Sequence, residues 1–196
     1  MSAIDILGKL DGLDVSSLQP FQRILLVTDG TLTEILEAMF CERIRLVKVS
    51  QQIIRANTSH VLLDPSPGET LIERKILLQG ELSGTNYVYA ESLVAVDRLS
   101  PAFRDALLNS DTPLGRLWLE HKLETFKEMQ ELRCQPADEL NDYFECPGSA
   151  RLLVRTYRVL SARRPVMVIT EYFPAAFRSS AERPRGTAGQ LVTTSG

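Results

Sequence analysis

Apolar and polar positions alternate over residues 42–54, 70–80 and 86–97, and the first of these is rich in β-branched side chains. A period of two in such composition predicts strands. Two further alternating stretches, 151–160 and 165–173, are joined by Ser161-Ala162-Arg163-Arg164, which reads as a hairpin loop. Elsewhere the spacing is helical. Leu32, Ile35, Leu36 and Met39 predict a helix from about Leu32 to Phe40, and Thr31, three residues before Glu34, has the spacing of a capping box. Ser100-Pro101 opens a short helix through about Leu108. The longest helical pattern starts at Thr112, suited to the N-cap, and Pro113, suited to the first helical position. Leu117, Leu123, Phe126 and Met129 form its apolar side. Asp64-Pro65-Ser66-Pro67-Gly68 is a turn cluster, and 135–149 is a polar connection.

Strands that follow one another through turns, with helices grouped between them, predict an α+β fold. The expected architecture is an antiparallel sheet of about six strands covered by helices. The chain has 196 residues, 44% hydrophobic and 24% charged, which suits one domain. Residues 1–20 form a polar lead-in ending at Pro20, residues 21–177 the domain, and 178–196 a tail too poor in apolar surface to offset its ordering entropy. A net charge of −3 and a pI near 5.5 argue against a nucleic-acid surface. No apolar stretch approaches the roughly 20 residues of a membrane span, and the N-terminus lacks a signal-peptide pattern, so a cytoplasmic protein is expected. Cys41, Cys134 and Cys146 form no CxxC pair and read as reduced thiols.

Two charges break the alternation of their strands. Arg74 shares a face with Ile72, Ile76 and Leu78, and Glu171 shares one with Met167, Ile169 and Phe173. Each is expected to point into an apolar layer. Burying a lone charge costs on the order of several kcal/mol, so such a position is either paired structurally, at a wet strand edge, or used. Thr31-Leu32 and Thr112-Pro113-Leu114 supply helix starts, whose free N–H groups accept carboxylates. Together these features sketch a pocket for a small carboxylate-bearing molecule.

Other motifs carry less. LLVTDGTLTE lacks the nucleophilic carboxylate of a haloacid-dehalogenase-type DxDGT loop, because Val27 stands two residues before Asp29. Gly148-Ser149-Ala150 is no GxSxG elbow, and His60 and His121 lack metal-ligand spacing. Tyr87, Tyr89, Tyr157 and Tyr172 fall in strands and read as packing residues.

The strings LLVTDGTLTEILEA (25–38), ERKILLQG (73–80), TPLGRLWLEH (112–121) and RVLSARRPVMVITEYFP (158–174) resemble the chorismate pyruvate-lyase family. The resemblance implies a helix-covered antiparallel sheet enclosing an internal pocket. It implies removal of the enolpyruvyl group of chorismate, giving 4-hydroxybenzoate and pyruvate without metal or organic cofactor, a reaction that feeds quinone biosynthesis in many bacteria. It assigns the ligand carboxylate to Arg74 and to backbone groups at Leu32 and Leu114, and the hydroxyl end to Glu171, here the candidate for proton transfer. A related cyclohexadienyl carboxylate fits the same site. So does a stand-alone sensor, since effector domains of some winged-helix regulators share the fold.

Overall fold

The computed structural model describes residues 2–57, 60–110, 112–145 and 150–175. The expected tail 178–196 and Cys146 lie outside the described residues.

Seven strands form one sheet: β1 (Leu10–Asp11), β2 (Ile44–Arg55), β3 (Thr70–Gly80), β4 (Asn86–Ala95), β5 (Phe126–Pro136), β6 (Arg151–Ser161) and β7 (Arg164–Pro174). Their order is β1-β5-β6-β7-β4-β3-β2. The fold class is the α+β one read from the pattern, with two differences of detail. Six long strands are antiparallel to their neighbours, while the two-residue β1 adds a seventh, parallel to β5. The β6–β7 hairpin turns through Ala162 and Arg163, both at positive φ, the left-handed pair that matches strand twist.

The helices are α1 (Ala3–Leu7), α2 (Pro20–Val27), α3 (Leu32–Phe40), α4 (Pro101–Asn109), α5 (Leu114–Glu120) and α6 (Asn141–Phe144). Residues before Pro20, read as a polar lead-in, form α1, β1 and a 3₁₀ turn, and Leu7 and Leu18 are buried in the core. A capping box does close α1, from Ser2 to Asp5, whereas Thr31 at the N-cap of α3 makes no side-chain cap.

The long helix expected from Thr112 onward is not there. α5 begins one residue later than expected, with Pro113 as its cap, and ends at Glu120; Lys122 takes positive φ, and Phe126 and Met129 belong to β5. Leu117, Leu123, Phe126 and Met129 recur every three or six residues, a spacing that fits a helix as well as a helix followed by a strand. The polar connection 135–149 likewise holds the end of β5, a 3₁₀ turn and α6.

One sheet face packs under α1–α3 at one end and α4–α5 at the other, in two apolar clusters that include Leu25, Leu36 and Phe173, and Phe103, Leu117 and Met167. Smaller clusters around Leu63 and Leu71, and around Ala137 and Leu152, cover part of the other face. Among the described residues no helix is long and apolar enough to cross a membrane.

Candidate functional site

Between the helix-covered face and the starts of α3 and α5 lies a cavity of about 350 Å³, in the range of small-molecule sites. Sheet register decides what faces it. Arg74 of β3 stands opposite Ser92 of β4, and Glu171 of β7 stands opposite Ala90. Ser92 and Ala90 are two residues apart on β4, so Arg74 and Glu171 project to the same face. Both are buried, and both line the cavity. Leu32 and Leu114, the first residues of α3 and α5, line it as well. All four residues singled out in the sequence are thus brought together. The two helix starts touch: a Cβ added to Gly115 would lie 2.9 Å from Cγ2 of Thr31, so only glycine fits there without displacing a neighbour.

Three further residues complete the site, Tyr157 and Lys127 on the cavity wall and Arg155 against Glu171. Arg155 of β6 stands directly opposite Glu171, with 1% of its side chain exposed, and donates from Nε to Glu171 Oε2 at 2.5 Å. Its Nη1 reaches the carbonyls of Leu25 and Thr28, tying the end of α2 to the sheet. Tyr157 donates its hydroxyl to Glu171 Oε1 at 2.9 Å. Burial first, and then the Glu171 carboxylate, push the Tyr157 phenol well above its ordinary pKa, so it remains a donor at neutral pH. Burial opposes the charge of Arg155, but Glu171 and Tyr157 outweigh it and raise the guanidinium pKa. Both oxygens of Glu171 therefore accept hydrogen bonds before any ligand arrives.

Lys127 of β5 is the third. Its ammonium donates to the carbonyls of Asp29 (2.9 Å) and Gly30 (3.3 Å), in the loop before α3, and sits over the rings of Tyr157 and Trp118 at 5.3 and 5.6 Å. Burial lowers its pKa below the lysine value, against the pull of Glu171.

Sequence reasoning missed all three. Arg155 shares the inner face with Leu153, Tyr157 and Val159, so it interrupts an apolar face just as Arg74 and Glu171 do, and the same signal could have found it. Tyr157 is no mere packing residue, since its hydroxyl is committed to Glu171. Lys127 fell on the assumed helix, where its place on the inner face of a strand could not be read. The arginine paired with Glu171 is Arg155. Among the described residues no group of three or more His, Cys, Asp or Glu gathers to hold a metal ion.

The fold and the cavity define a helix-covered α+β protein with a small polar-floored pocket. Residues 26–180 match the family described as chorismate pyruvate-lyase Rv2949c-like, and the chain belongs to that family. It is 33% identical over 156 residues to the chorismate pyruvate-lyase of Mycobacterium leprae, covering 77% of this chain and 72% of that one. It is 30% identical over 172 residues to the chorismate pyruvate-lyase of Mycobacterium tuberculosis, covering 84% of each. In fold it is also similar to the effector domain of PhnF from Mycobacterium smegmatis, with a TM-score of 0.58 at 10% identity over 74% of this chain and 88% of that one.

Proposed function

We propose that this protein eliminates pyruvate from chorismate and leaves 4-hydroxybenzoate. The observation that carries the reading is that Arg74 and Glu171, from strands on either side of β4, line one cavity with the starts of α3 and α5.

In this reading Arg74 takes the ring carboxylate in a planar pair that lysine cannot copy, and the N–H groups of Leu32 and Leu114 add fixed dipoles. The ether bond at ring C3 breaks, and its electron pair leaves on the enolpyruvate oxygen. The hydrogen on C4 departs as a proton while the ring becomes aromatic. The enolpyruvate methylene gains a proton and becomes pyruvate, so protons balance and no oxidant or reductant is required. Glu171, already an acceptor from Arg155 and Tyr157, accepts the C4 proton and returns it to the methylene. Tyr157 and Arg155 hold its carboxylate in one orientation and compensate its charge.

The test is to mix the protein with chorismate and follow pyruvate. Steady release supports the lyase; saturable binding without pyruvate overturns it in favour of a sensor, the reading that the PhnF-like fold favours; turnover only of another cyclohexadienyl carboxylate moves the substrate. Arg74→Ala is expected to lose both turnover and 4-hydroxybenzoate binding. Undiminished binding by that variant refutes the carboxylate clamp.

A further inference from the structure

Lys127 is a cation on the inner wall, attracted by the carboxylates of Glu171 and Asp29 but ion-paired with neither. Among the described residues no acidic side chain lies within ion-pair distance of it, and its contacts are two backbone carbonyls and two aromatic faces. An ammonium has three N–H donors, and two are taken by Asp29 and Gly30. The Trp118 ring beneath it lines the same cavity, and its indole Nε1–H is buried and meets no acceptor among the described residues. Two donors at one corner of a cavity call for an anionic or strongly accepting group.

The corner lies across the cavity from Arg74. In the order β5-β6-β7-β4-β3, Lys127 sits on one flank, Arg74 on the other, and Glu171 on the strand midway between them. Four strand spacings separate the flanks, roughly 19 Å of backbone if the sheet were flat, and two long side chains reaching inward cover much of that distance. The cavity thus offers a cation at each end and a carboxylate in the middle.

We propose that Lys127, aided by Trp118 Nε1, receives the second carboxylate of a dicarboxylate ligand, the one carried on the departing group. The inference rests on the lyase reading. It makes Lys127 a specificity-determining residue: Arg74 holds what both substrate and product possess, while Lys127 holds what the product has lost. The aromatic product then leaves a site that grips it at one end only.

The test uses 4-hydroxybenzoate and an aromatic ether bearing a second, carboxymethoxy carboxylate, which cannot eliminate, in calorimetry with the wild type, Lys127→Met and Lys127→Arg. The wild type is expected to bind the dicarboxylate more tightly. Lys127→Met should lose about tenfold on the dicarboxylate and less than about twofold on 4-hydroxybenzoate, with Lys127→Arg recovering most of the loss. Equal losses on both ligands would reduce Lys127 to a tether for the Asp29–Gly30 loop and overturn the proposal, as would no loss on either. If the wild type prefers the dicarboxylate yet releases no pyruvate from chorismate, the lyase reading falls and the role of Lys127 stands.

Discussion

Among the described residues two arginine–glutamate pairs have side chains at most one-tenth exposed, and only one of them has a member that lines a cavity. Arg98 and Glu69 form a bidentate pair at 2.7 and 2.8 Å. The remaining N–H groups of Arg98 reach the carbonyls of Leu63, Pro165 and Asp64, at 3.0, 2.6 and 2.9 Å. Nothing is left over, and the guanidinium clamps the 63–69 turn to the start of β7. Arg155 and Glu171 are more deeply buried, but their pair rests on one Nε–Oε2 contact, with Glu171 Oε1 turned to Tyr157 and Arg155 Nη2 buried without a partner among the described residues. Burial of a charge therefore does not mark a site. A charged pair whose carboxylate faces a cavity does.

Replacing the pairs should separate them most sharply. Arg98→Met leaves Glu69 partly buried without its counter-charge and should cost about 1–3 kcal/mol of stability, while the variant still binds 4-hydroxybenzoate below its melting point. The double change Arg98→Met/Glu69→Leu should recover little, because the carbonyls of Leu63, Asp64 and Pro165 stay orphaned. Arg155→Met/Glu171→Leu should also recover little stability, because the carbonyls of Leu25 and Thr28 and the Tyr157 hydroxyl lose their partners, but unlike the Arg98 double it should release no pyruvate. Denaturant midpoints and the pyruvate assay read both. Pyruvate release by the Arg155→Met/Glu171→Leu variant would erase the distinction.

A smaller effect comes from pH. The Arg98 hydrogen bond, against the opposing influence of burial and helped by the Ser66 N–H, holds the Glu69 carboxyl below its ordinary pKa. A group depressed in the folded state adds stability above its unfolded value of about 4.3, and that stability is lost as pH falls toward the folded value. Stability should therefore drop on acidification below about pH 5, and Glu69→Gln should flatten that slope whatever its stability at neutral pH. A slope unchanged by Glu69→Gln would mean that other carboxylates, such as Glu42, whose pKa is also lowered, carry the acid sensitivity.

The contrast between the pairs also explains what could be read in advance. Strands β2, β3, β4, β6 and β7 were legible because alternation is a local property of the chain, and Arg74 and Glu171 were legible because each interrupts an apolar face. Arg98 gave no such signal, since it lies in a 3₁₀ turn with no face to interrupt. Arg155 interrupts an apolar inner face and was open to the same reading, whereas Lys127 lies where helical and strand spacing coincide. What joins these residues is contacts between positions 16 to 98 apart in sequence, as in Arg155 with Glu171 and Lys127 with the loop at Asp29, and no single stretch encodes that. The packing of Leu7 and Leu18 was hidden for the same reason: two buried leucines among polar neighbours show no period.

The smallest expected effect probes the ceiling of the cavity and not its floor. Gly115 brings the start of α5 against Thr31 at the start of α3, and the added methyl of Gly115→Ala would meet Thr31 Cγ2 at 2.9 Å. Alanine favours a helix over glycine by roughly 0.5–1 kcal/mol, which offsets part of the clash, so global stability should change little. The two helix starts must nevertheless part by a few tenths of an ångström or Thr31 must turn, and both starts line the cavity. Affinity for 4-hydroxybenzoate should therefore fall by about two- to fivefold, a change of under about 1 kcal/mol, with the melting temperature nearly unmoved. Thr31→Ser removes the Cγ2 methyl that the new side chain strikes, so Gly115→Ala/Thr31→Ser should regain the lost affinity. Failure of that rescue would mean that the helix starts do not set the width of the site, and the control of ligand fit would pass wholly to the charged floor.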